Sequence, residues 1–107
     1  MTDMMALMKQ AQAMQKQMED AQKKLELTEV TGEAGAGLVT VTLTAKGDAK
    51  SISIDKSLMK PEESEIVEDL IMAAHNEARR KAEELQQDIM KEAAGGLQLP
   101  PGMASPF

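Results

Sequence analysis

Apolar residues recur at alternating spacings of three and four through the first quarter of the chain, which constrains the fold more than any other feature. This spacing predicts a helix from residue 3 to about residue 27 with one apolar stripe, like the seam of a coiled coil. A helix of about 25 residues is roughly 37 Å long, whereas a compact chain of this length is only about 34 Å across. We therefore expect part of the seam to need a partner. The seam consists of Met4, Leu7, Ala11, Met14, Met18, Ala21 and Leu25.

The segment from residue 27 to residue 55 changes to an alternation of apolar and polar residues, which is typical of strands. Valine and leucine alternate with threonine over residues 39–45, and isoleucine alternates with serine over residues 51–55. The Lys46-Gly47-Asp48 sequence between them predicts a hairpin turn. A shorter strand is predicted at about residues 27–31, followed by a glycine-rich turn at residues 32–37. Together these segments predict a three-stranded antiparallel meander.

A second helix is predicted after Pro61, since proline suits the first turn of a helix and the acidic residues that follow suit its positive end. Gly95-Gly96 is expected to end this helix. The predicted class is α+β, a two-layer α-β-β-β-α domain over residues 1–96 with a proline-containing tail over residues 97–107. The apolar stripe of the second helix consists of Val67, Ile71, Ala74, Ala78, Ala82, Leu85, Ile89 and Ala93.

The composition favours a homodimer. The chain has ten methionines but only one phenylalanine, with no tryptophan or tyrosine, and aromatic side chains normally supply much of a small core. We therefore expect a second copy to complete the core. The sequence contains no cysteine, no signal-peptide pattern and no apolar run of the roughly 20 residues needed to cross a bilayer. These features predict a cytoplasmic protein that does not bind membranes.

Catalysis is not expected. His75 is the only histidine, and no serine, cysteine or carboxylate cluster has the spacing of a nucleophile motif or a metal site. We expect His75 to have a structural or exposed role. The glycines of residues 32–37 precede a strand rather than a helix, which favours a turn over a phosphate cradle. No cofactor, metal or small-molecule substrate is expected.

Basic residues on the two helices are candidates for contacts with duplex DNA. The net charge is −6, with the acidic excess in residues 62–107, and an acidic chain is on charge alone a poor DNA ligand. Three lysines nevertheless follow one another at intervals of seven, opposite the seam, and a basic triplet lies on the second helix. An ordinary solvated helix face is the alternative interpretation. The six candidates are Lys9, Lys16, Lys23, Arg79, Arg80 and Lys81.

Several segments resemble the YbaB/EbfC family of nucleoid-associated proteins. They are LMKQAQ at residues 7–12, VTGEAGAGLV at 30–39, DKSL at 55–58, EDLI at 68–71, AAHN at 73–76, and LPPG with the final PF after residue 98. The resemblance implies a homodimer of α-β-β-β-α subunits whose protruding helices grip double-stranded DNA in the bacterial nucleoid. It also implies that acidic residues lie on the body while basic residues face the DNA.

A protein-interaction module remains an alternative function, because methionine-rich seams adapt to several partners. An enzyme dependent on His75 is a third and weaker alternative.

Overall fold

The computed structural model describes residues 3–95, which form two long helices and three strands. The strands form one antiparallel sheet in the order β1-β2-β3. This confirms the predicted α-β-β-β-α order and the meander. The tail predicted at residues 97–107 lies outside the described residues. The elements are α1 (Met4–Leu27), β1 (Glu29–Ala34), β2 (Val39–Thr44), β3 (Ala49–Ile54) and α2 (Ser64–Gly95).

Helix α1 has a side-chain hydrogen bond at each end. Asp3 precedes the helix, and its carboxylate accepts a hydrogen bond of 3.0 Å from the Met5 backbone amide. At the other end, the Thr28 hydroxyl donates to the Lys24 carbonyl at 2.6 Å, and the backbone of Thr28 is extended. These bonds satisfy groups that a helix terminus otherwise leaves unpaired. The helix they bound, Met4–Leu27, agrees with the one predicted from the seam spacing.

One face of the sheet carries the core, because α2 packs across it. Val39, Val41 and Leu43 alternate along β2 and are fully buried against Ala74 and Ala78 of α2. The threonines between them point to the other face, as alternation along a strand requires. The sheet and α2 thus form two layers.

Strand β1 differs from its prediction, since it covers Glu29–Ala34 rather than residues 27–31. Gly32 lies inside the strand and not in a turn. A Cβ atom at this position would overlap the backbone of Ala74 and Ala78, so the glycine allows α2 to approach β1 closely. The turn is formed by Gly35, Ala36 and Gly37, whose φ angles are 63°, 56° and 90°.

A second, smaller core joins the two helices. Ala21 and Leu25 of α1 are buried against Ile89 of α2 and Ala45 at the end of β2. The earlier seam residues of α1, from Met4 to Met18, are exposed in this single chain. The molecule measures 73 × 24 × 16 Å, so it is an elongated body from which α1 extends. This is the overhang that the length of the seam predicts.

Helix α2 begins slightly later than predicted. Pro61 opens a short 3₁₀ turn over Pro61–Glu63, and the α-helix starts at Ser64. Within residues 3–95, no helix is both long and apolar enough to cross a membrane.

Candidate functional site

The three lysines spaced by seven form one exposed stripe on α1. Seven residues make nearly two helical turns, so Lys9, Lys16 and Lys23 share a face and follow one another at intervals of about 10.5 Å. That face is opposite Ala21 and Leu25, the two residues of α1 that are buried. All three lysines are exposed, and none forms an ion pair with a carboxylate of residues 3–95. We call these three residues the lysine stripe.

Two other lysines near α1 contact carboxylates instead. Lys24 lies 3.5 Å from Glu92 and links α1 to α2, while Lys46 lies 3.0 Å from Glu26 and links the β2–β3 hairpin to α1. Both pairs are exposed, so each contributes little to stability. They do neutralise these lysines locally, which leaves the lysine stripe as the unpaired positive surface of α1.

The basic triplet of α2 divides into paired and unpaired residues. Arg79 pairs with Glu83 at 3.2 Å, one turn further along the helix. Lys81 pairs with Glu77 at 3.1 Å and donates a hydrogen bond of 2.8 Å to the Thr31 carbonyl of β1. Arg80 is exposed and forms no ion pair within the described residues. The lysine stripe and the triplet lie on different helices, and Lys81 is the residue of the triplet that contacts the edge of β1.

Glu77 is a structural residue that the sequence analysis missed. Its hydrogen bond from Lys81 holds the pKa of the Glu77 carboxyl below its ordinary value, with smaller contributions from the Glu33 backbone amide and the charge of Arg80. The spacing of Glu77 and Lys81, four residues apart with the acid first, is the favourable one on a helix. That spacing was the signal that could have identified the pair.

His75 is exposed and lines a groove between α2 and β3. Its neighbours in this groove include Ile52 and Met72, and no carboxylate is among the lining residues. No group of three or more acidic, histidine or cysteine residues within residues 3–95 could hold a metal ion.

The fold and the lysine stripe define a small α+β protein whose extended helix α1 carries an exposed row of lysines. The sequence profile of the YbaB/EbfC DNA-binding family matches residues 1–97. The chain belongs to this family, which confirms the resemblance seen in the sequence.

Similar proteins agree with this assignment. A nucleoid-associated protein of Maricaulis maris is 72% identical over 107 residues and covers 100% of both chains. A nucleoid-associated protein of Beijerinckia indica is 56% identical over 100 residues, which are 94% of this chain and 99% of that protein. The crystal structure of an uncharacterized protein from Helicobacter pylori matches with a TM-score of 0.77 and 25% identity, covering 89% of this chain and 100% of that one.

Proposed function

We propose that this protein binds duplex DNA as a homodimer in the bacterial nucleoid, without catalysing a reaction, and that phosphate contacts from its protruding helices supply most of the affinity. The observation that carries this proposal is the exposed, unpaired lysine stripe on the side of α1 opposite its buried residues. Membership of a DNA-binding family supports the same function. The names of the nucleoid-associated relatives support the proposed location in the nucleoid.

The distribution of charge reconciles DNA binding with an acidic chain. The formal net charge is −6, yet the screening length at physiological salt is only about 8 Å. The acids at the start of α2 lie on another element and are screened from phosphates at the lysine stripe. Glu19 and Asp20 of α1 lie within four residues of Lys16 and Lys23 and reduce the attraction there, so Lys9 has the least competition from acids. Two copies would present six such lysines. Contacts of this kind position DNA without reading its sequence, so any preference would come from the shape and deformability of the duplex.

The first test is a gel-shift experiment with purified protein and duplex DNA at two salt concentrations. Phosphate contacts release counterions, so we expect retention at low salt that falls steeply as salt rises. Single-stranded DNA of the same length is the control, because residues 3–95 include no Phe, Tyr or Trp ring on which bases could stack. Failure to retain duplex DNA at low salt would contradict the proposal.

A protein-interaction module is the second candidate function, and the exposed seam of α1 favours it. Met4, Leu7, Met14 and Met18 are exposed in the single chain, and methionine-rich surfaces accommodate different partners. The same gel shift separates the two functions, since an interaction module without DNA affinity would show no retention.

A further inference from the structure

Strand β1 lies at one edge of the sheet, and within residues 3–95 only β2 pairs with it. Along an antiparallel strand, successive residues direct their backbone N–H and C=O groups alternately toward the neighbouring strand and away from it. The Ala45 amide donates to the Thr28 carbonyl at 2.8 Å, which sets this alternation. In the register of β1 and β2, the backbone groups of Thr31 and Glu33 therefore point away from the sheet.

An edge of this kind can take up another strand. Its unpaired N–H and C=O groups are a template on which a strand of another chain can add and extend the sheet. Proteins prevent such pairing with proline, with charged side chains over the edge or with a covering helix. Strand β1 contains no proline, and helix α2 packs beside it instead.

Gly32, between the two outward-facing residues, brings α2 close to this edge. A Cβ atom on Gly32 would overlap the Ala74 carbonyl oxygen and the Ala78 amide nitrogen. Glu77 and Lys81 follow these two alanines by three residues each, which places both about 60° around the helix on the same side of the contact. The close approach at Gly32 therefore carries Glu77 and Lys81 together to the rim of β1.

The two side chains meet the two outward-facing residues with opposite charges. The Lys81 ammonium donates to the Thr31 carbonyl at 2.8 Å, and the Glu77 carboxylate accepts from the Glu33 amide. Lys81 and Glu77 also lie 3.1 Å from each other. A carbonyl thus meets a cation and an amide meets an anion, which is the complementarity that a neighbouring strand would supply with its own N–H and C=O groups.

We propose that Glu77 and Lys81 take the place of a neighbouring strand and close the edge of β1 against strands of other chains. An exposed ion pair on a helix contributes little to stability, so the position of this pair over the edge is its main consequence. The Arg79–Glu83 pair has the same spacing and a distance of 3.2 Å. Within residues 3–95 no hydrogen bond joins that pair to a strand, so it provides a matched comparison.

Hydrogen exchange of the Glu33 amide in the full chain tests the closed edge. This N–H points away from β2, so at an open edge it would exchange with solvent without protection. Loss of its bond to Glu77 in Glu77→Ala should speed its exchange about tenfold, as measured by NMR. Glu83→Ala should leave the rate at the parental value. Equal rates in the parent and Glu77→Ala would overturn the proposal.

Reversing the pair separates edge protection from an ordinary ion pair. Glu77→Lys combined with Lys81→Glu keeps the net charge and the opposite charges, but it sets an ammonium against the Glu33 amide and a carboxylate against the Thr31 carbonyl. At micromolar concentration we expect this variant to sediment as species heavier than the parent, with a mass that rises with concentration.

The control reverses the other pair, with Arg79→Glu combined with Glu83→Arg, and should sediment as the parent does. A folded Glu77–Lys81 reversal that keeps the parental mass, or equal growth in both reversals, would overturn the proposal. If the Glu77–Lys81 reversal does not fold, the exchange rate of the Glu33 amide decides. Failure of the parent to retain duplex DNA would contradict the proposed function alone, because the closed edge does not depend on DNA.

Discussion

Gly32 of β1 lies against Ala78 of α2 so closely that no Cβ atom fits between the strand and the helix backbone. We therefore expect Gly32→Ala to lower the free energy of unfolding by about 1–3 kcal/mol, the usual range for overpacking a core. Urea denaturation at fixed protein concentration measures the change. Gly37→Ala is the comparison, because open space surrounds Gly37 and only its φ of 90° opposes a side chain. An unchanged midpoint for Gly32→Ala would contradict the close packing.

The sequence predicted the elements whose periodicity reflects burial. The central strand β2 was identified by its alternating valine and threonine. The buried face of α2 was identified by the four-residue spacing of Ala74, Ala78 and Ala82. Burial of one face imposes a period of two on a strand and of three to four on a helix. The bounds of β1 could not be predicted in this way. Gly32 suggests a turn locally, and only the approach of a helix distant in sequence explains a glycine within the strand.

The candidate site could be predicted only in part. The spacing of Lys9, Lys16 and Lys23 placed them on one face, and the structure shows that this face is exposed. The spacing of four residues in the Glu77–Lys81 and Arg79–Glu83 pairs could have divided the triplet from sequence. The bond from Lys81 to the Thr31 carbonyl could not be predicted, because Thr31 lies 50 residues earlier in the chain. The exposure of Ile52 could not be predicted from periodicity either, because Ile52 alternates with serine like a buried residue yet is 53% exposed.

The Glu77–Lys81 pair should make stability depend on pH. Since the pKa of Glu77 is lowered in the folded state, its stabilising contribution is complete above its ordinary value of 4.5 and is lost as the pH falls through the folded value. We expect Glu77→Gln to be less stable than the parent near neutral pH, with the difference shrinking as the pH falls below 4.5. Thermal unfolding across this range measures it, with Glu84→Gln as the control on the same helix. A difference that grows in acid would contradict the assignment.

The residues of the basic triplet should contribute unequally to DNA binding. Arg80 forms no ion pair within residues 3–95, whereas Arg79 is paired with Glu83. Arg80→Gln should therefore make the slope of log K against log salt shallower by about 0.9, the effect of one phosphate contact. Arg79→Gln should change it less. The reverse order in a titration of duplex DNA would show that the intrahelical pair does not restrain Arg79.

Loss of His75 should leave DNA binding nearly unchanged. His75 is exposed and lies on α2, away from the lysine stripe. An ordinary surface substitution changes free energy by about 0.5 kcal/mol or less, so His75→Ala should retain duplex DNA within about threefold of the parent. Total loss of retention by a variant with the parental circular dichroism spectrum would give His75 a direct role.

The lysine stripe is tested most directly by changing Lys9, Lys16 and Lys23 together to Gln and measuring duplex affinity across a salt series. Glutamine is a good helix former, and these side chains lie opposite the buried residues of α1, so the fold should survive. If the parent contacts about six phosphates, its slope of log K against log salt should be near −5.

The triple variant should show a shallower slope and weaker binding to every sequence alike. A second triple variant, with Lys46, Lys50 and Lys60 changed to Gln, makes the same change in net charge outside α1 and should bind more like the parent. If the α1 variant instead binds as tightly as the parent while the second variant does not, the DNA-binding surface lies on the sheet and loops, contrary to the account.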